Sequence, residues 1–378
     1  VTVAVPTREE ATQLYGIDLA DKDIQPIWIE VRNDQPVPNW LLTLGIDPAY
    51  FAASEAAYAF RNSVGASARP RLEAHFAQLQ FPNPIQPQST ASGFLLVNRD
   101  EGYKAIDVDL ISRSAAASFT FITTDPTFRG AGNVDGLASL YTDDQLVHVD
   151  DENELTALLQ SMPCCTSNKN DRKEGDPLNL VMVGMQEDIF PAFVRRGWHP
   201  TEETWSGAIW KTIKAFMSGE RYRYAPISPL YVFGRQQDLA IQKARSTIHE
   251  RNHLRLWLTP VRYRDRPVWI GQISRDIGVK FTPKSPTIST HVIDPDVDEA
   301  RRYLLEDLAY SQGISAVGLV KGVGETSRDA PRVNLVGDPW YSDGLRAVMM
   351  FEPRPRGLDG IDFIGWEAPP GTETIYVD

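Results

Sequence analysis

The segment HLRLWLTPVRYRDRPVWIGQISRDIGV, His253 to Val279, constrains the fold more than any other stretch of the chain. Much of it alternates apolar and polar residues with the period of two that an extended strand imposes. A turn at Arg264 and Asp265 folds it back on itself, so that opposing residue numbers sum to a constant. Tyr263 then meets Arg266, Trp257 meets Gln272, Arg255 meets Ser274, and His253 meets Asp276. Leu254, Leu256, Leu258 and Ile273 point to one face, into a core. His253, Arg255, Trp257, Gln272, Ser274 and Asp276 share the other. A histidine beside a carboxylate has its tautomer fixed and its pKa raised, which suits a general acid or base. The same row also suits the solvated face of an ordinary sheet. The assignment rests on register, because a one-residue slip moves one strand's set to the opposite face.

The chain has 378 residues, more than one hydrophobic core usually serves. Its first third is rich in short strands with Pro, Gly, Asn and Asp punctuation: IQPIWIEVRN, NWLLTLGIDPAYF, STASGFLLVN, YKAIDVDLIS and ASFTFITTDP. This spacing predicts a β-sandwich-like domain over 1–125. A connecting segment follows over 126–176. It holds one helix, DENELTALLQSM with Asp151 as N-cap, and the polar loop CCTSNKNDRKEGDP. The remainder, 177–378, mixes elements without regular alternation: the strand LNLVMVG, the helix QEDIFPAFVRRG, an amphipathic helix TEETWSGAIWKTIKAFMSG, the long hairpin, the capped helix DVDEARRYLLEDLAYSQG, and the late strands ISAVGLV and LRAVMMFEP. The fold class is therefore α+β: a β-sandwich-like domain, then a mixed α+β domain with a long antiparallel hairpin.

The formal net charge is −12, and basic residues cluster only locally, as in ERYRY and VRYRDRP. That balance argues against a nucleic-acid partner, which calls for a basic stripe. No apolar run approaches the roughly 20 residues that span a bilayer, so no transmembrane segment is expected in this chain. The sequence starts inside the strand-like VTVAVP, as a mature or trimmed form would. Cys164 and Cys165 are the only cysteines and are adjacent. Two ordinary thiols, a vicinal disulfide and a redox role all remain open.

Other candidates carry two readings each. His291 precedes Asp294, Asp296 and Asp298 in THVIDPDVDEARRYL. This spacing is not a calcium loop, because no Gly stands at the sixth position and Leu305, not Glu, stands at the twelfth. Either Asp294 makes a turn and Asp296 caps the helix, or His291, Asp294 and Asp296 join His253 around a divalent metal. His199 in GWHPTEETW is a local structural residue or helps hold an anion at a helix N-terminus. Arg235 and Lys243 in FGRQQDLAIQK, with Arg255, form an anion-binding set, unless Asp238 and other acids neutralise them. The chain lacks a G-x-S-x-G elbow, a P-loop and an H-E-x-x-H helix. No cofactor is specified, and no metal-ligand spacing is distinctive.

Four motifs in order, GWHPTE, SPLYVFGRQQDLAIQKARSTIHERNHLRLW, RPVWIGQISRDIGV and THVIDPDVDEARRYLLEDL, resemble the LssY C-terminal domain family across roughly the second half of the chain. Domains of that family are often attached to bacterial membrane proteins, including lipid-phosphatase-like and DedA-like modules. The β-rich front resembles that of lipoprotein-like relatives. The resemblance implies a bacterial cell-envelope protein, periplasmic or surface, with an anchor before Val1. It supplies no catalytic assignment. Three functions follow as expectations. The first is a module whose polar face binds an anionic small molecule or lipid headgroup, or which docks an envelope protein. The second is a hydrolase of phosphate esters or lipid-derived substrates using His253 and Asp276. The third is a structural assembly protein.

Overall fold

A computed structural model of the chain describes residues 1–99, 103–113, 115–124, 137, 140–200, 229–244, 251–281 and 289–368. The expected amphipathic helix from Thr201 to Gly219 lies outside the described residues. The chain forms two compact units, Val1–Phe128 and Arg129–Asp378. Helices and many strands are both present, and the fold is α+β.

The first unit carries two three-stranded antiparallel sheets. One orders Thr2–Ala4, Ile24–Asn33 and Ser89–Asn98; the other orders Trp40–Leu41, Tyr103–Ile111 and Ala116–Thr124. Their apolar residues share one cluster: Ile27, Ile29, Val31, Leu95 and Val97 from the first sheet, and Leu41, Ile106, Val108 and Leu110 from the second. Helices Ala53–Ala59 and Arg69–Leu79 bury Ala56, Ala57 and Phe76 in a second cluster with Tyr15, Leu19 and Leu96. The strand read in NWLLTLGIDPAYF stops at Leu41. The Asn83 side chain takes both backbone groups of Leu41 (N–H···Oδ1 3.0 Å, Nδ2–H···O 2.9 Å), and a short helix, Thr43–Ile46, follows.

The second unit is built on a ten-stranded mixed sheet. Its main order is His199–Pro200, Leu239–Ala244, Arg251–Tyr263, Arg266–Phe281, Leu180–Val183, Leu345–Phe351, Ile314–Lys321 and Asp362–Ile364. Residues 140–176, read from sequence as a connecting segment, are built into this unit. Val147–Val149 pairs in parallel with Val261–Tyr263, helix Glu152–Ser161 packs on the sheet, and its N-cap is Asp151. The stretch read as a polar loop instead supplies strands Cys165–Ser167 and Glu174–Pro177. With Tyr231–Val232 and Arg235–Gln236 they form a separate four-stranded sheet.

Arg251–Tyr263 and Arg266–Phe281 turn at Arg264 and Asp265, both with left-handed φ (49° and 63°), as a two-residue connection between twisted strands requires. The register differs from the constant-sum expectation. Tyr263 still meets Arg266, but beyond an irregularity between Leu258 and Arg262 the pairs are Trp257–Ile270, Arg255–Gln272 and His253–Ser274. The physical cause is Pro260, which has no N–H to give to the ladder. Thr259 stitches the irregularity, donating from Oγ1 to Val268 O at 2.7 Å and accepting from Val261 N at 3.2 Å. The slip is two residues, so parity survives and both faces keep their expected members.

The apolar face is the larger core. Leu254, Leu256, Leu258 and Ile273 join Leu180, Met182 and Met349 beneath helices Gln186–Arg195 and Val297–Ala309. On the opposite face, Leu155, Leu159, Val181, Val348 and Tyr263 form one cluster, and Trp257 and Ile270 pack with Leu178, Leu230 and Val232 in another. The buried Arg346 holds the end of helix Glu152–Ser161. Its guanidinium donates to the carbonyls of Leu159, Met162, Pro163 and Gly322, satisfying acceptors that a helix terminus leaves open. Gly322 makes room for it. At φ 145°, a Cβ there would lie 2.7 Å from Arg346 Cζ. Gly322→Ala should therefore lower stability by about 1–3 kcal/mol in urea or thermal unfolding. Gly278→Ala, which meets nothing within 4 Å, should be close to neutral.

Candidate functional site

The polar face of the long strand pair is not solvated. His253, Arg255, Trp257, Gln272, Ser274 and Asp276 are all buried, with Asp276 only 2% exposed. The solvent-face reading is thereby overturned. Around the polar row stand Trp257's partners Leu178, Leu230 and Val232, and the buried side chains of Asp176, Asn334 and Asp338. Buried ionisable groups persist only when charge and hydrogen-bond partners compensate them.

His253 lies between Gln242 on one neighbouring strand and Ser274 on the other. Its Nε2 is 3.3 Å from Asp276 Oδ2, although the two residues are diagonal rather than directly opposed. Arg251 Nε lies 3.9 Å from the same oxygen, and its Nη1 donates to Gln242 Oε1 at 3.1 Å. Arg255 Nη1 donates to Gln272 Oε1 at 2.9 Å. Asn334 Nδ2 donates to Asp176 Oδ1 at 3.0 Å, and Asn334 Oδ1 accepts from Asp338 N–H at 2.9 Å. Two guanidiniums, three carboxylates and one imidazole thus share one buried layer.

Burial pushes Asp276 up to about 7; the nearby charges of Arg251 and Arg255 pull it down, and those of Asp176 and Asp338 raise it further. Burial also raises Asp176, against the pull of Arg255. Desolvation lowers Arg251 and Arg255, opposed by Asp276 in both cases and by Asp176 for Arg255. An arginine stays charged at neutral pH even so. Titration of the layer near neutrality therefore centres on Asp276.

The other sequence candidates go elsewhere. Arg235 binds Asp238 through two parallel bonds (3.0 and 2.8 Å), and Asp238 Oδ2 also accepts Leu258 N–H at 2.6 Å. Lys243 Nζ donates to Asp307 Oδ2 at 2.8 Å. Asp307 was not singled out in the sequence, yet it gathers Lys243, Trp198 Nε1 (2.8 Å) and Arg196 Nε (3.0 Å). Half-buried His199 pairs its backbone with Gln242. Asp294 Oδ1 accepts Asp296 N–H at 3.0 Å, and Asp296 caps helix Val297–Ala309 by accepting Glu299 N–H at 3.2 Å. The backbone of His291 pairs with Val279; its side chain lies outside the described residues. Asp298 and Asp343 close on Arg301 (3.2 Å and 2.7 Å), fixing the segment before strand Leu345–Phe351.

Cys164 and Cys165 are joined as a vicinal disulfide. Cys165 packs with Ile293, Val297, Val323 and Trp340, while Cys164 Sγ lies 3.6 Å from Arg332 Nη2, which is itself paired with Glu174. Among the described residues, Cys164, Cys165 and Glu174 are the one close grouping of three potential metal-binding side chains. A disulfide's sulfurs are not the thiolates that bind metals.

Fold and site together define an α+β domain organised around a buried ionic layer. The chain belongs to the LssY C-terminal domain family: the family model described as LssY C-terminus matches residues 157–345, half of the chain. No curated protein and no solved structure matches it. Among the described residues, no helix is long and apolar enough to cross a membrane.

The Asp276 carboxyl has a folded pKa of about 7, above its unfolded value, so the folded chain holds more protons than the unfolded one between about pH 4 and 7. This group's contribution to stability is full below about pH 4 and is lost as pH rises through about 7. Asp276→Asn should flatten this slope and raise the melting temperature at pH 8, by an effect of about a few kcal/mol, with little change at pH 5. Removing the acceptor shared by Lys243, Arg196 and Trp198 is a different matter: Asp307→Ala should cost about 3 kcal/mol at every pH from 6 to 9, read by denaturant unfolding.

Proposed function

We propose that the chain is a ligand-binding module of the bacterial cell envelope whose LssY C-terminal domain takes up an anionic group with a proton. The observation that carries this reading is the position of Asp276, buried between Arg251 (3.9 Å) and His253 (3.3 Å), with a pKa of about 7. Ionised, it competes for the guanidiniums of Arg251 and Arg255. Protonated, it releases them to an external anion such as a phosphate or a lipid headgroup, which these fork-shaped donors suit. Arg235 and Lys243 are spent on Asp238 and Asp307, so Arg251 and Arg255 are assigned the ligand instead. The envelope location rests on the resemblance of the four motifs. The β-rich first unit is, in this reading, a sandwich-like module that docks a partner.

Sulfate tests the idea, because its charge is constant from pH 5 to 9. Calorimetry should show the wild type binding sulfate about tenfold more tightly at pH 6 than at pH 8, since the competent protonated fraction changes by about that factor. Asp276→Asn should bind at the pH 6 level at both values. Folded protein that binds no sulfate at either pH, or binds it independently of pH, would sink the proposal. A second reading, a phosphate-ester hydrolase, is favoured by the approach of His253 Nε2 to the Asp276 carboxyl, an arrangement suited to general acid or base work. It demands turnover of p-nitrophenyl phosphate that His253→Gln abolishes without loss of fold. Binding without turnover separates the two.

A further inference from the structure

The first unit contains a cavity of about 260 Å³ that the proposed function does not use. Aromatic rings of Tyr15, Phe51, Phe76, Phe81 and Phe94 line much of it, and uncharged polar residues, among them Thr43 and Gln80, line part of the rest. Trp40 also lines it and is 50% exposed, placing an aromatic ring where solvent reaches the space. No lysine, arginine, histidine, aspartate or glutamate lines it. A charged ligand would therefore lose its hydration without compensation. A cavity of about 150 Å³ lined by apolar side chains already accommodates benzene, so this one has room for a substituted single ring.

Of the polar residues on the wall, Tyr50 and Gln80 are exposed, Thr43 is half-buried and the Asn83 side chain is bonded to Leu41, which leaves Tyr15 as the buried one. Tyr15 is only 2% exposed, and its edge-on contacts with Phe76 and Phe94 hold the ring in place. Its hydroxyl has no hydrogen-bond partner among the described residues, and burial alone holds its pKa well above the usual phenol range. A buried phenol normally finds a partner. We infer that this cavity is a binding site for a small, uncharged, mostly apolar molecule, one ring in size, whose single hydrogen-bond acceptor meets the Tyr15 hydroxyl.

Acetophenone and isopropylbenzene, nearly equal in shape, are the probes; only the first has an acceptor. Saturation-transfer NMR on the full chain should show saturable binding of both. Tyr15→Phe should weaken acetophenone about tenfold and leave isopropylbenzene unchanged. Gln80→Trp, a substitution at an exposed lining position, should reduce binding of both, with unchanged melting temperature. Ala53→Leu should do the same by filling the space. No saturable binding by the folded wild type overturns the inference. So does a Tyr15→Phe variant, folded like the wild type, that loses both probes equally or neither.

Discussion

The second unit depends on one constraint: a long strand pair must bury both of its faces, and one face is ionic. The Leu254, Leu256 and Leu258 side is covered by two helices at the ordinary gain of apolar burial. The other side sets His253, Arg255 and Asp276 in the same buried environment, where each unpaired charge would cost several kcal/mol. The remaining architecture near the pair answers that cost. Asp176 arrives on a strand of the small sheet and Asp338 beside the strand Pro339–Trp340, with Asn334 fixing both. Gln242 and Gln272 give the two guanidiniums neutral acceptors.

Such a layer stabilises little compared with a hydrocarbon layer of equal volume. The proposed function gives it a use, the movement of a proton or an anion. A carboxyl that titrates near neutrality beside two arginines couples the two. The same economy of charge explains why Arg235 and Lys243, attractive as anion ligands in isolation, are poor candidates. Asp238 and Asp307 already hold them at 2.8 Å.

Much of the local structure was legible in the sequence. Strand Ile24–Asn33, helix Glu152–Ser161 with its Asp151 cap, and helix Val297–Ala309 with its Asp296 cap lie where periodicity and capping residues put them. The sorting of the strand pair into an apolar and a polar face was also legible. It survived a register error because the irregularity at Pro260 shifts the ladder by two residues, an even number. What was not legible is non-local. Nothing around EGDP signals that Asp176 faces Arg255, and nothing in LLEDLAY marks Asp307 as the acceptor for Trp198, 109 positions away. Exposure was misjudged for the same reason. Alternation says which residues share a face, and only the arrival of the small sheet and the 332–340 segment decides whether that face meets water.

In the proposed function Asp276 titrates near neutral pH, and its ionised form competes with an external anion for Arg251 and Arg255. The most direct measurement is a pH titration of its side-chain carboxyl by carbon NMR, with aspartate labelled and Asp276→Asn used for assignment, with and without sulfate. The account predicts a midpoint near 7 that sulfate moves upward, because the anion binds the protonated form. A midpoint in the ordinary aspartate range, or one indifferent to sulfate, would contradict it.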